Sequence, residues 1–234
     1  MRLNSLKMFF KYLGKNRLYT FVTISGFAVS LMFVLLLSVY IRQELSVDQF
    51  HVNKDRIYRL YRDNTAMFAP PIGDRIKNQF PEVEAYTRIF KNKGNAMFQD
   101  KSLKKIDFMM ADSSFFSIFS FKLKEGDPRQ VLATTNSAVL SSSFSRKIFG
   151  NESPVGKTFS IDKQSFTISG VYEEFPENTQ FVKTDVILNF KVLADLWGWK
   201  ELLTTDGNSS FGLYFLAGKG TDLPSKAPII LEQF

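Results

Sequence analysis

The stretch FGNESPVGKTF, residues 149–159, holds the residue types closest to a recognisable chemistry. A phosphate-binding loop of the form G-x-x-x-x-G-K-[ST] wraps phosphate oxygens in backbone N–H groups and reaches them with its lysine. Here Gly156, Lys157 and Thr158 stand in the right order, but five residues separate Gly150 from Gly156 where the loop allows four. Asn151 occupies the place of the first glycine, and Pro154 removes an N–H from the cradle. The following TFSIDKQSFTI alternates like a strand, whereas bound phosphate needs a helix N-terminus there. A turn leading into a hairpin is the better reading.

Four further constellations deserve the same weighing. Ser102 and Lys105 match S-x-x-K, but the companion S-D-N and K-T-G motifs are absent. Glu173, Glu174 and Glu177 gather around Pro176 like paired carboxylates, and without a second cluster they read as a solvated turn. His51, the single histidine, sits between Asp48 and Asp55 and reads as a polar residue at the end of a stalk. Gly26 and Ser30 form a small-xxx-small pair of the kind that lets membrane helices approach. With no cysteine in the chain, thiolate catalysis, disulfides and cysteine-held zinc or iron–sulfur centres are excluded. The expectation is a protein without catalytic, cofactor-binding or metal-ligating residues.

The elements that carry these residues begin with LYTFVTISGFAVSLMFVLLLSVYI, 24 residues without a charge, from 18 to 41. As a helix it covers about 36 Å, enough to cross a hydrocarbon core of about 30 Å with some tilt. It exceeds the apolar region of a cleaved signal peptide, and SVYIRQ offers no small-x-small cleavage site. Its polar residues, Thr20, Thr23, Ser25, Ser30 and Ser38, are small enough to satisfy themselves on the helix backbone.

Charge fixes an expected orientation. Arg2, Lys7, Lys11, Lys15 and Arg17 precede the span with no acid among them, and only Arg42 follows closely. The positive-inside rule places the N-terminus in the cytoplasm and residues 42–234 outside. Beyond residue 41 lie 25 basic and 23 acidic residues, a net of only +2, so most of the overall charge of +7 belongs to the first seventeen positions. A nucleic-acid binder carries its basic face on the folded domain, and that function is excluded. Leu3, Leu6, Phe9, Phe10 and Leu13 recur at helical spacing. Residues 1–17 therefore read as an amphipathic helix in the cytoplasmic interface, bending at Gly14 and Asn16 into the span.

The organisation expected is an amphipathic helix over 1–17, a transmembrane helix over 18–41, a stalk over 42–52 and an extracytoplasmic domain over 53–234. RQELSVDQFH continues the helix as the stalk. RIYRLY, a Pro-started helix in PPIGDRIKNQF and a strand ending near Phe90 make a β-α-β unit. A hairpin turns at Asp100-Lys101, and Asp112 or Ser113 caps a short helix through SFFSIF. SAVLS reads as a strand and SSFSRKIFG as a helix with Gly150 as its left-handed stop. A second hairpin turns at Asp162–Gln164, and TDVILNF and FGLYFLA complete the strands. The class is α+β, with small mixed sheets carrying helices on one face.

Read in order, DQFHVNKDRIYRLYR, FPEVEAYTRIF, ADSSFFSIFSFKLKEGDP, NSAVLSSSFSRKIFGNESPVGK and FTISGVYEEFPENTQF resemble the N-terminal portion of MacB-type, FtsX-related ABC transporter permeases, in the long-loop form of Bacteroidetes-like bacteria. The resemblance runs from the basic N-terminal helix onward. It implies a periplasmic core domain with a porter-like β-α-β part and an inserted smaller α/β part, in a bacterial inner membrane. It also implies a partner ABC ATPase, fused or separate, which would hold the ATP, and a second permease copy forming a dimer. A periplasmic adaptor or substrate protein and membrane lipid complete the implied partners, with no nucleic acid. The function implied is transmission of ATP-driven movement to the outer domain for efflux or export. The chain ends at Gln233-Phe234 inside an expected helix without the later spans of such permeases, so it is expected to be an N-terminal fragment. The alternative is a single-span, membrane-anchored binding or sensor module.

Overall fold

The computed structural model describes residues 8, 11–99 and 101–232, and it separates into two compact units, residues 1–49 and 50–234. In the first unit, residues 11–15 are helical and a bend at Asn16 leads into α1, Arg17–Leu45. Leu3, Leu6, Lys7, Phe9 and Phe10, on which the amphipathic reading chiefly rests, lie outside the described residues. Helix α1 is long and apolar enough to cross a membrane, and none of its residues is buried. Three of its hydroxyls bond to their own helix backbone as expected, while Thr20 donates to the Leu13 carbonyl (3.1 Å), ahead of the helix. Ser25 donates to the Val22 carbonyl (3.1 Å), Ser30 to Gly26 (2.9 Å) and Ser38 to Val34 (2.7 Å).

The helix does not continue through the stalk. The Ser46 hydroxyl donates to the Gln43 carbonyl at 2.7 Å and its N–H is shared between Arg42 and Gln43. Asp48 then adopts a left-handed φ of 58°, which an α-helix does not accommodate. Residues 46–50 form successive turns.

The second unit holds ten strands: β1 (Ile57–Arg59), β2 (Met67–Phe68), β3 (Val83–Phe98), β4 (Lys101–Ala111), β5 (Leu123–Glu125), β6 (Ser137–Ser141), β7 (Thr158–Ile161), β8 (Gln164–Tyr172), β9 (Val186–Asn189) and β10 (Phe211–Ala217). Between them lie α2 (Pro71–Gln79), α3 (Phe115–Ile118), α4 (Ser142–Phe149) and α5 (Leu193–Leu196), with α6 (Ala227–Leu231) last. The strands join into one mixed ladder in the order β1-β10-β3-β4-β9-β6-β8-β5, with β2 on β10 and β7 bridging β3 and β8. Strands β1 and β3 flank β10, both antiparallel to it, so β1-α2-β3 is a split β-α-β unit.

The strand expected to end near Phe90 runs on without interruption to Phe98. Lys91–Asn95 look like a loop in sequence, yet Lys91–Gly94 pair with β4, and only a register shift at Asn95, between Gly94 and Ala96, marks the irregularity. This extension lets β3 meet β7 at Ala96↔Ile161 and Met97↔Ser160. Strands β3, β4, β9, β6, β8 and β7 thereby close a ring. Each contributes to one buried cluster, with Ala96, Phe108, Leu188, Leu140, Phe166 and Ile161 among its members. Filling a small ring with side chains is what barrel geometry demands.

Alternation then assigns the rest. Phe108 and Met110 of β4 join that cluster, while Met109 and Ala111 face the other way into a core built on α3. A third cluster packs Leu213, Phe215 and Ala217 against α2 and α6. Helix α2 approaches closely because Gly73 has no side chain, and a methyl group there would overlap the Tyr86 ring. Helix α4 starts at Ser141, whose hydroxyl accepts from the Phe144 N–H at 3.2 Å. It stops at Gly150 with φ 65° and ψ −120°, a positive φ but not the left-handed helical stop expected. Helix α3 follows Ser114, which makes no side-chain cap, rather than being capped by Asp112 or Ser113. Asp112 is committed elsewhere.

Candidate functional site

The residues that follow the apolar helix enter the folded unit abruptly. His51 is 3 % exposed, and its Nδ1 accepts from the Ser120 N–H at 3.1 Å. The Val52 N–H donates to the Ser120 hydroxyl at 2.9 Å, and Asn53 Nδ2 donates to the Ser117 and Ile118 carbonyls at 3.4 Å. The imidazole sits 4.2 Å from the Phe50 ring, 5.2 Å from Phe119 and edge-on to Phe121 at 4.9 Å. Arg56 continues the attachment, donating to Glu84 Oε2 (2.8 Å), the Ala217 carbonyl (2.7 Å) and Asn53 Oδ1 (2.6 Å). His51, expected as a polar residue at the end of a stalk, is therefore buried in the outer unit. The run Phe115-Phe116-Ser117-Ile118-Phe119-Ser120-Phe121 forms a nest of rings whose backbone receives it. Asp55, expected beside it, is exposed in the 3-10 turn Lys54–Arg56.

A polar cleft of about 490 Å3 opens between α2, β3 and the start of α3. At its base Arg88 and Asp112, 5 % and 9 % exposed, form a forked ion pair. Arg88 Nη2 lies 2.6 Å from Asp112 Oδ1 and Nε lies 3.0 Å from Oδ2. The Arg88 backbone N–H donates to the same Oδ2 at 2.6 Å, and Nη1 donates to the Pro70 carbonyl at 3.2 Å. The Phe190 ring lies 4.4 Å under the guanidinium. Burial alone would depress the arginine pKa, but the hydrogen bond and charge of Asp112 outweigh it and hold the pKa above its ordinary value. Tyr86 at the rim donates to Asp74 Oδ1 at 2.6 Å, and burial raises its phenol pKa so that it stays neutral. The Arg88–Asp112 pair, with Tyr86 on Asp74, ties α2 and the start of α3 to β3. Sequence reasoning missed this pair because 24 positions separate its members, and its only trace is an arginine in the otherwise apolar end of YTRIF.

The expected decoys lie where ordinary structure accounts for them. The Gly156 N–H donates to the Ile168 carbonyl (2.8 Å) and the Lys157 N–H to Pro154 (3.0 Å), so those amides are already used. Lys157 Nζ lies 2.8 Å from Glu152 Oε2 and 4.9 Å over the Phe149 ring, and β7 follows in place of a helix. Ser102 and Lys105 are exposed on β4, with Lys105 at a φ of 57°. Glu173, Glu174 and Glu177 are exposed, and Glu174 Oε1 accepts from the Ser143 N–H at 2.8 Å, serving the first turn of α4. Ser30 is turned to the Gly26 carbonyl of its own helix. Among the described residues no group of three or more His, Asp and Glu side chains is placed to hold a metal ion.

Comparison with known proteins bears on the whole chain. None of the curated proteins matches it. Among solved structures it is similar to a domain of a protein described as a permease from Porphyromonas gingivalis, at 21% identity and a TM-score of 0.65, covering 79% of this chain and 82% of that one. The periplasmic region of MacB from Actinobacillus actinomycetemcomitans shares 17% identity at a TM-score of 0.53, over 76% and 80% of the two chains. The extracellular domain of the ABC-type transporter YknZ from Gram-positive bacteria shares 15% at 0.53, over 76% and 91%. These three share the fold. The MacB-like periplasmic core domain family matches residues 20–226, taking in most of the apolar helix together with nearly all of the outer unit. The chain therefore belongs to the MacB-like periplasmic core domain family, as a membrane protein with an extracytoplasmic domain of the kind carried by MacB-like ABC transporters.

Proposed function

We propose that the chain is the permease subunit of a MacB-like ABC transporter, or its N-terminal part, and that it relays ATP-driven movement across the membrane for efflux or export. The observation that carries this reading is the continuity of the family match from the apolar helix through the outer domain. One family unit contains both the part suited to the bilayer and the part outside it. The attachment of residues 51–56 to the α3 nest and to β10 supports it, since the chain that leaves the helix is gripped by the domain within a few residues of Leu45. In this reading the N-terminus is cytoplasmic, the ATPase is a separate or fused partner holding the ATP, and a second permease copy completes a dimer. An adaptor or substrate protein meets the outer domain.

The turns at residues 46–50 are the place to test the relay. Inserting a flexible Gly/Ser linker of about ten residues between Asp48 and Gln49 in the complete permease is expected to abolish transport. ATP binding by the ATPase and folding of the outer domain are expected to persist. Transport at the wild-type rate with that linker would overturn the relay and favour a tethered binding module, which needs no stiff connection.

A further inference from the structure

A second cleft, of about 260 Å3, lies on the α3 side of the sheet, away from Arg88 and Asp112. Its floor is set by register. Arg59 of β1 pairs with Tyr214 of β10, Gly212 of β10 pairs with Met67 of β2 and Ile89 of β3, and Lys91 follows two residues along β3. Period-two alternation puts all of these side chains on one face. Gln180 and Phe181, from the loop between β8 and β9, form the opposite wall. Because Gly212 has no side chain, the floor is open down to the backbone.

Two cations face this space. The Arg59 guanidinium lies 5.5 Å from the Tyr214 ring centroid and the Lys91 ammonium 5.8 Å from that of Phe181, both within reach of the ring quadrupole. Among the described residues neither has an ion-pair partner, and no carboxylate lines the cleft. Both side chains are exposed at the mouth of the cleft, where partial desolvation, and then the positive charge of Arg59, lower the Lys91 pKa. Two like charges held over aromatic rings without a counter-ion are a cost that an anion would relieve. Apart from Gln180, Ser210 and Gly212, the remaining lining is Met67, Ile89, Phe90, Phe181 and Tyr214, which suits an apolar body better than a second charge. A guanidinium fork matches the two oxygens of a carboxylate.

We infer that this cleft binds a small organic carboxylate, its anionic end held by Arg59 and Lys91 and its ring or short chain lying over Gly212 between Ile89, Phe181 and Tyr214. The inference concerns a ligand site on the outer domain and stands whether or not the relay reading holds. It predicts what should compete and what should not. A neutral amide of the same shape lacks the charge, and inorganic phosphate lacks the apolar body.

The test uses the full chain in detergent, with 4-fluorophenylacetate followed by 19F NMR titration and 4-fluorophenylacetamide and inorganic phosphate as comparison probes. Saturable binding of the carboxylate is expected, at least tenfold tighter than either comparison probe. The double variant Arg59→Gln/Lys91→Gln should weaken it at least tenfold. Gly212→Val should do the same by filling the floor. An added Cβ there meets the Ile89 carbonyl and the Tyr214 ring at 3.7 Å, an ordinary contact, so the fold is expected to survive. Bound probe should also raise the Lys91 pKa toward its usual value, seen in its side-chain 13C titration. No saturable binding by the wild-type chain, equal binding of the amide or of phosphate, or undiminished binding by the folded variants would each overturn the assignment.

Discussion

Asp112 accepts three hydrogen bonds from Arg88, two from the guanidinium and one from the backbone N–H, and so fixes both the side chain and the strand that carries it. The pair joins the end of β4 to the middle of β3 beneath α2. Asp112→Ala leaves the arginine charge buried without its partner, and we expect a loss of about 3–5 kcal/mol. Arg88→Met combined with Asp112→Ala should recover part of that loss, because the uncompensated charge is gone. Denaturant unfolding of the two variants, followed by tryptophan fluorescence, checks this. A double variant no more stable than the single would show that burial of the charge is not the cost.

Tyr172 gives the domain an alkaline limit. Its phenol is fully buried and donates to the Thr184 carbonyl, and burial, with the negative charges of Glu174 and Asp185, pushes its pKa well above the ordinary value. The protonated form is the one the fold prefers. Its contribution is complete below the unfolded-chain value of about 10 and is lost as pH rises from there toward the folded value. Tyr172→Phe should cost about 1 kcal/mol near neutral pH through the lost hydrogen bond. It should also make the fall in stability above about pH 10 shallower. Tyr86, raised in the same direction, leaves a residual slope. Thermal midpoints of both proteins across that range decide it, and parallel curves would exclude Tyr172 as a source.

Lys157 is expected to behave as an exposed ion-pair lysine. Lys157→Ala should change stability by less than about 1 kcal/mol, as exposed pairs do. Equilibrium dialysis with ATP should find no binding to the wild-type chain for the variant to lose. ATP binding abolished by this substitution would mean that the Gly150–Thr158 turn holds phosphate after all.

The orientation proposed for the chain rests on its basic N-terminal residues. A reporter active only in the cytoplasm should work when fused ahead of Arg2 and fail when fused after Phe234. Replacing Lys7, Lys11, Lys15 and Arg17 with glutamine should blur that difference, since positive charge near a span sets its direction. The opposite pattern of reporter activity would reverse the orientation.

Residues whose neighbours are local were the legible ones. Twenty-four uncharged positions announce the apolar helix, and alternation on both sides of Asp162-Lys163 announces the β7–β8 hairpin. The run SSFSRKIFG announces α4, although Gly150 ends it outside the left-handed helical conformation expected. What stayed hidden depends on partners far along the chain. Lys91, Asn92 and Lys93 look like a loop because their side chains are exposed, yet their backbones are paired with β4. His51 carries no sign of burial, since the rings that cover it include Phe119 and Phe121, some seventy positions on. The closing contact of the ring is a ladder of two residues, too short to impose a pattern. The cleft of Arg59 and Lys91 is assembled by register, which a single strand does not display.

The pairing of β1 with β10 has a consequence for synthesis. Ile57 lies opposite Leu216, 159 positions on, and Ile89 of β3 lies opposite Gly212, so β3 waits for a segment made 123 positions later. At about 5–20 residues per second, that second interval is roughly 6–25 s. Throughout it the long outer edge of β3 presents unpaired N–H and C=O groups beside Ile89 and Val83, the kind of edge on which nascent chains aggregate. A ribosome stalled before Phe211 would therefore release an outer domain with its sheet open, and that product should fall to proteases and chaperones rather than persist as a partial fold.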